Sequence, residues 1–87
     1  MLSPVTNQLI REVLGAHARL PVDVATLSDS DDLYDAGMTS HASVEVMLAL
    51  EESFDVEFPD AMLKRSVFAS VNSIADAIGQ LDQAAAA

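Results

Sequence analysis

The chain has 87 residues, 51% of them hydrophobic, with 4 basic and 14 acidic residues, a net charge of −10 and no cysteine. That length allows one domain; the acidity disfavours nucleic acid and anionic lipid surfaces, and the missing thiols exclude disulfides and cysteine-ligated zinc or iron–sulfur sites. No apolar run approaches the ~20 residues of a membrane span, and the opening MLSPVTNQLIREV lacks the basic-then-apolar order of a secretory signal, so a cytoplasmic location is expected.

Ser3 and Pro4 read as a helix start, with a hydroxyl at the cap and proline at the first helical position. Val5, Leu9, Ile10, Val13 and Leu14 then recur on one broad face, which predicts an amphipathic helix over 3–19. Gly15 falls on its polar side, and His17 falls inside the apolar arc as a half-buried structural histidine. Pro21 ends the helix. Residues 20–39 form a connection long enough to be functional or packed on itself, with Leu20, Val22, Val24, Leu27 and Leu33 as expected anchors.

A second helix is predicted over 40–54, with Thr39 or Ser40 as its cap. Its Val46, Met47, Leu50 and Phe54 share one sector, sufficient to face a core. Val44 and Leu48 lie to the side of it, among Glu45, Glu51 and Glu52. A helix facing only a core has no use for them. An apolar centre with an acidic rim is the pattern of a docking surface for a partner with a basic rim; the bland alternative is that the long connection covers both side chains. A turn follows over 55–59, then one short helical segment over 60–66. Ser70 caps a last helix over 71–82, striped by Val71, Ile74, Ala75, Ile78 and Leu81. The expected fold is all-α, a small four-helix bundle of three main helices and one short one. The domain covers 1–83, and the alanines at 84–87 form a frayed tail.

Ser40 raises the functional question. A hydrolase elbow needs G-x-S-x-G and a base that reaches the serine; GMTSHAS lacks the second glycine, and His41, one residue on, points ~100° away on a helix. A calcium loop over 29–40 would need glycine at its sixth position and glutamate at its twelfth, where Tyr34 and Ser40 stand. A phosphate-cradling P-loop would need several glycines and a lysine. What remains is a serine that is acted upon. A helix start offers free N–H groups and the positive end of the macrodipole to an attached phosphate, and Gly37 lets the preceding loop turn sharply. Spacing alone does not separate this from a plain N-cap.

The stretch DLYDAGMTSHASVEVMLALEESFDVEFPD (32–60) resembles the central segment of acyl and peptidyl carrier proteins, whose hallmark is a D-x-G-x-D-S-L loop leading into an acidic, apolar helix. Asp35, Gly37 and Ser40 match the loop. Val44, Glu45, Val46, Leu48, Leu50, Glu51, Glu52 and Phe54 match the helix, and Pro59 with Asp60 the turn after it. The resemblance implies a carrier with no catalytic activity. Ser40 would bear 4′-phosphopantetheine, attached from coenzyme A by a phosphopantetheinyl transferase; Asp35 and Gly37 would belong to that site. The arm's thiol would hold cargo as a thioester. The docking surface would comprise Thr39, His41, Val44, Glu45, Leu48, Glu51 and Glu52. Thr39 stands where the family has aspartate, and His41 where it has leucine or isoleucine, which sets the chain apart from ordinary fatty-acid carriers. MTSHASV resembles discrete aminoacyl carrier proteins, loaded by tRNA-synthetase-like amino acid ligases. The expected partners are therefore the transferase, such a ligase and downstream enzymes that use the cargo, with no nucleic acid or membrane, and the expected state is a monomer. Fatty acyl or polyketide cargo, and an acidic helical adaptor whose Ser40 is merely a cap, are the alternatives.

Overall fold

The computed structural model describes residues 4–86, with side-chain surroundings over 6–81. Three α-helices carry the fold: α1 Pro4–His17, α2 Ser40–Phe54 and α3 Val71–Ala86. Among the described residues there is no strand. The expected cap Ser3 lies outside them, as does the side chain of Val5. α1 packs against both α2 and α3. Ile10, Val13 and Leu14 of α1 meet Val46 and Leu50 of α2 and Val71, Ile74, Ala75 and Ile78 of α3 in one core. These are the apolar stripes of the sequence. Their burial, at roughly 25 cal/mol per Å² of apolar surface, drives the assembly.

His17 is a correction: it is exposed rather than half-buried. The chain leaves the helix at this point, and Ala18 turns inward in its place, 1% exposed, with Arg19 in the left-handed conformation at φ 56°.

The connection packs on itself, but not through every expected anchor. Val24 and Leu33 are buried and Leu20 and Leu27 partly so, whereas Val22 is 45% exposed. Polar contacts supply the rest. A 3-10 turn over Val24–Thr26 is capped by Asp23, whose side chain accepts from the Ala25 N–H. Arg11 of α1 donates to the Val24 carbonyl at 2.8 Å and to Asp29 Oδ1 at 2.6 Å. Asn7 donates to the other Asp29 oxygen at 3.3 Å, and the Asp29 carbonyl accepts from the Asn72 N–H at the start of α3 at 3.0 Å. One carboxylate thus ties α1 and the connection together, and its own backbone ties them to α3.

The short helix expected over 60–66 is also a correction. It is a single 3-10 turn, Asp60–Met62, followed by turns in which Val67 and Phe68 donate to the Lys64 and Arg65 carbonyls. A short segment gains too few internal hydrogen bonds to offset helix nucleation. Phe58 and Phe68 instead hold its two ends by an edge-to-face contact, centroids 5.4 Å apart. α3 begins with a reciprocal cap: Ser70 Oγ accepts from the Ser73 N–H, and Ser73 Oγ accepts from the Ser70 N–H. α3 continues through Ala86, past the expected end at 82.

Candidate functional site

The loop before α2 is built turn by turn. Asp32 Oδ1 accepts from the N–H groups of Tyr34 and Asp35 at 2.8 and 3.2 Å, a local pattern that aspartate favours. Ala36, Gly37 and Met38 then donate to the carbonyls of Asp32, Tyr34 and Leu33. Leu33 is fully buried, and its N–H donates to the Ala69 carbonyl, pinning the loop to the segment before α3. Met38, 3% exposed, is a second anchor. Gly37 has φ 122°, which L-residues rarely adopt, and a Cβ there would lie 2.7 Å from Pro21 Cδ. Glycine is needed for the turn, and also for the close approach of the connection. Asp35 is exposed, and its carboxylate has no hydrogen-bond partner among the described residues.

The cap of α2 is Thr39. Its Oγ1 accepts from the Ala42 N–H at 3.0 Å, and its carbonyl accepts from the Ser43 N–H. Ser40 is therefore the first helical residue and not the cap. Its side chain is exposed, and among the described residues its hydroxyl makes no hydrogen bond. The capping role that could have accounted for this serine is already taken by its neighbour.

Ser40 opens onto a groove of about 450 Å³, lined by Tyr34, Ser43, Val44, Met47, Leu63, Lys64, Arg65 and Phe68. Arg65 stacks on the Tyr34 ring, guanidinium carbon 4.2 Å from its centroid. Leu63 and Val44 on its walls are 46% and 51% exposed.

Further along α2, Leu48 is 56% exposed, so the connection covers neither it nor Val44. Glu45 Oε1 lies 3.2 Å from His41 Nε2, one turn away, and 3.5 Å from Arg19. Glu52 is exposed. Glu51 differs from the other two: its Oε2 accepts from the Phe58 N–H at 2.9 Å, fastening the chain after α2 back onto the helix. It has a structural task that helix periodicity did not reveal. No group of three or more potential metal ligands occurs among the described residues, and no helix among them is long and apolar enough to cross a membrane.

Comparison with known proteins fits this geometry. The family described as "Phosphopantetheine attachment site" matches residues 8–78. The chain belongs to that family. It is 50% identical over 72 residues to the aminoacyl carrier protein of Agrobacterium fabrum, covering 83% of this chain and 87% of the relative. Among solved structures it resembles a carrier protein from Agrobacterium tumefaciens crystallised with an engineered Bradyrhizobium japonicum glycine:[carrier protein] ligase and ATP. That match has 48% identity and a TM-score of 0.84, covering 86% of this chain and 97% of the other. A more distant match, 29% identical with a TM-score of 0.73, covers 84% of this chain and 97% of its counterpart in a complex of Bradyrhizobium japonicum glycine:[carrier protein] ligase with glycylated carrier protein. Members of the family are non-catalytic and bear 4′-phosphopantetheine covalently.

Proposed function

We propose that Ser40 is the attachment site of 4′-phosphopantetheine and that the chain carries an aminoacyl group, presenting it to enzymes that dock on α2. The reading rests most on the division of labour at the start of α2. Thr39 caps the helix through the Ala42 N–H, and the Ser40 hydroxyl is exposed and makes no hydrogen bond among the described residues. The surroundings fit a bulky phosphodiester. The first-turn N–H groups and the positive end of the α2 dipole favour an anion there, and the groove gives room beside it. The prosthetic group supplies the thiol that this cysteine-free chain lacks, and with it a thioester link to cargo.

The chain's own residues orient and dock. Gly37 and Asp32 fix the loop that presents Ser40. Val44 and Leu48, with Glu45 and Glu52 beside them, offer the apolar centre and acidic rim for a partner's basic surface. His41 and Thr39 stand where a loading enzyme meets Ser40. The half-identical aminoacyl carrier and the ligase-bound carriers support an amino acid as cargo, loaded by an ATP-dependent ligase. The carrier unit spans 1–83, the segment over 60–66 stands in place of the bundle's fourth short helix, and the protein acts as a monomer in the cytoplasm.

The test is intact-mass analysis after incubating apo protein with coenzyme A, magnesium and a promiscuous phosphopantetheinyl transferase. One phosphopantetheine adduct is expected, and none in Ser40→Ala. An unmodified wild type, or an adduct that survives the substitution, overturns the site. Loading the holo form with a ligase and a panel of amino acids, against fatty acyl donors, then decides the cargo; transfer of fatty acyl groups alone overturns the aminoacyl reading.

A further inference from the structure

Four cations face fourteen carboxylates in this chain, so each would be expected to sit beside an acid. Two do: Arg11 pairs with Asp29 and Arg19 with Glu45. Lys64 and Arg65 do not. Neither has a carboxylate partner among the described residues, and Arg65 lies on the Tyr34 ring instead. Both line the groove onto which Ser40 opens. The two lysine and arginine charges without a carboxylate partner among the described residues are therefore gathered at the groove onto which Ser40 opens. On a surface carrying an excess of ten negative charges, solubility does not require that arrangement.

We propose that Lys64 and Arg65 form the carrier's own counter-charge for a phosphodiester on Ser40. They hold the arm's phosphate end against the groove wall of Val44, Met47, Leu63 and Phe68 between encounters with enzymes. This rests on the attachment reading above and adds to it residues outside the Ser40 loop and α2. Chemistry supports a division between the two cations. A lysine ammonium is a compact, mobile charge that can follow a phosphate oxygen. The Arg65 guanidinium is kept in place by its stack on Tyr34, which costs it none of its N–H donors. Tyr34 is thus a positioning residue for Arg65. A partner enzyme that supplies its own cations to the phosphate would release the arm by competition, so the resident charges need only be weak. Exposed ion pairs of this kind are individually weak.

The experiment uses holo protein with a free arm thiol, and compares wild type with Lys64→Gln, Arg65→Gln and the double variant. Two signals are read: the phosphorus NMR shift of the phosphodiester, and the rate at which a neutral disulfide reagent captures the thiol. The phosphorus resonance is expected to move in each variant. Thiol capture should be roughly two- to thirtyfold faster in the double variant, the range two weak ion pairs allow. In wild type both signals should approach those of the double variant at ~1 M salt, where screening acts within ~3 Å. Tyr34→Leu should reproduce the Arg65→Gln shift while leaving Lys64→Gln additive to it. Unchanged phosphorus shift and capture rate in a double variant that is fully modified would overturn the proposal. So would a wild type insensitive to salt, a measurement that needs no variant to fold. Failure of the attachment reading looks different, since wild type would then gain no arm.

Discussion

Substituting Gly37 by alanine tests how the loop presenting Ser40 is held, and the structure separates two costs. The first is conformational, because φ 122° lies where L-residues are strained, worth about 1–3 kcal/mol. The second is steric: the new Cβ would stand 2.7 Å from Pro21 Cδ and 3.1 Å from Cγ. Both atoms belong to a ring that cannot rotate away, and overpacking of this kind costs roughly 1–3 kcal/mol. Together they amount to roughly 2–6 kcal/mol, against a total stability of ~5–15 kcal/mol for a native domain. At about 4–8 °C per kcal/mol for a domain of this size, Gly37→Ala should lower Tm by at least ~8 °C in thermal melts followed by circular dichroism. Pro21→Ala removes both clashing atoms. In a double-mutant cycle it should recover the steric share, a coupling of about 1–3 kcal/mol, and leave the conformational share. Additivity within ~0.5 kcal/mol would show the two sites to be independent and refute the close approach as a reason for glycine here. A Tm fall of less than ~4 °C would refute both terms.

Three further outcomes follow from α2 and the connection. Glu51→Ala should cost about 1–2 kcal/mol in denaturant unfolding, because it orphans the half-buried bond from the Phe58 N–H. Leu48→Ser and Glu52→Lys should stay within about 0.5 kcal/mol of wild type yet raise the KM of a loading ligase several-fold with kcat unchanged; the reverse pattern would move the docking surface elsewhere. Asp31 is held below the ordinary carboxylate value, first by the Ser28 N–H at 2.9 Å and then by the Ser28 side chain. A lowered folded pKa contributes stability above the unfolded value that is lost as pH falls through the folded one. Asp31→Asn should therefore flatten the acid limb of the stability–pH curve, and an unchanged limb would count against that bond.

The helices were legible in the sequence because their apolar residues recur at helical spacing, and burial follows that spacing whatever the detailed packing. α1, α2 and α3 lie where periodicity put them: α2 coincides with the predicted 40–54, α1 ends two residues earlier than predicted and α3 runs four residues further, and Ile10, Leu14, Val46, Leu50, Ile74 and Ile78 are buried as the stripes require. The surplus of Val44 and Leu48 was legible for the same reason: an apolar residue off the stripe has no intramolecular partner that periodicity can supply. Ser40 could be singled out, but Thr39 and Ser40 are equally good caps on paper. Only the backbone conformation of Thr39, extended at φ −82°, ψ 164°, with its hydroxyl oxygen aimed at the Ala42 N–H, assigned the cap and freed the serine.

What the amino-acid order determined by itself is therefore local and repetitive: the helical faces, the acidity, the absent thiol and a loop motif ending in serine. What tertiary structure alone decided is which distant groups meet. Arg11 finds Asp29, Glu51 finds Phe58, Pro21 fills the space that Gly37 leaves, and Lys64 and Arg65 come to line the groove onto which Ser40 opens. Those pairs have no period and no fixed spacing, because each contact is set by how three packed helices bring their connections together. A helix stripe repeats along the chain and can be read there, whereas a meeting between loops exists only once the chain has folded.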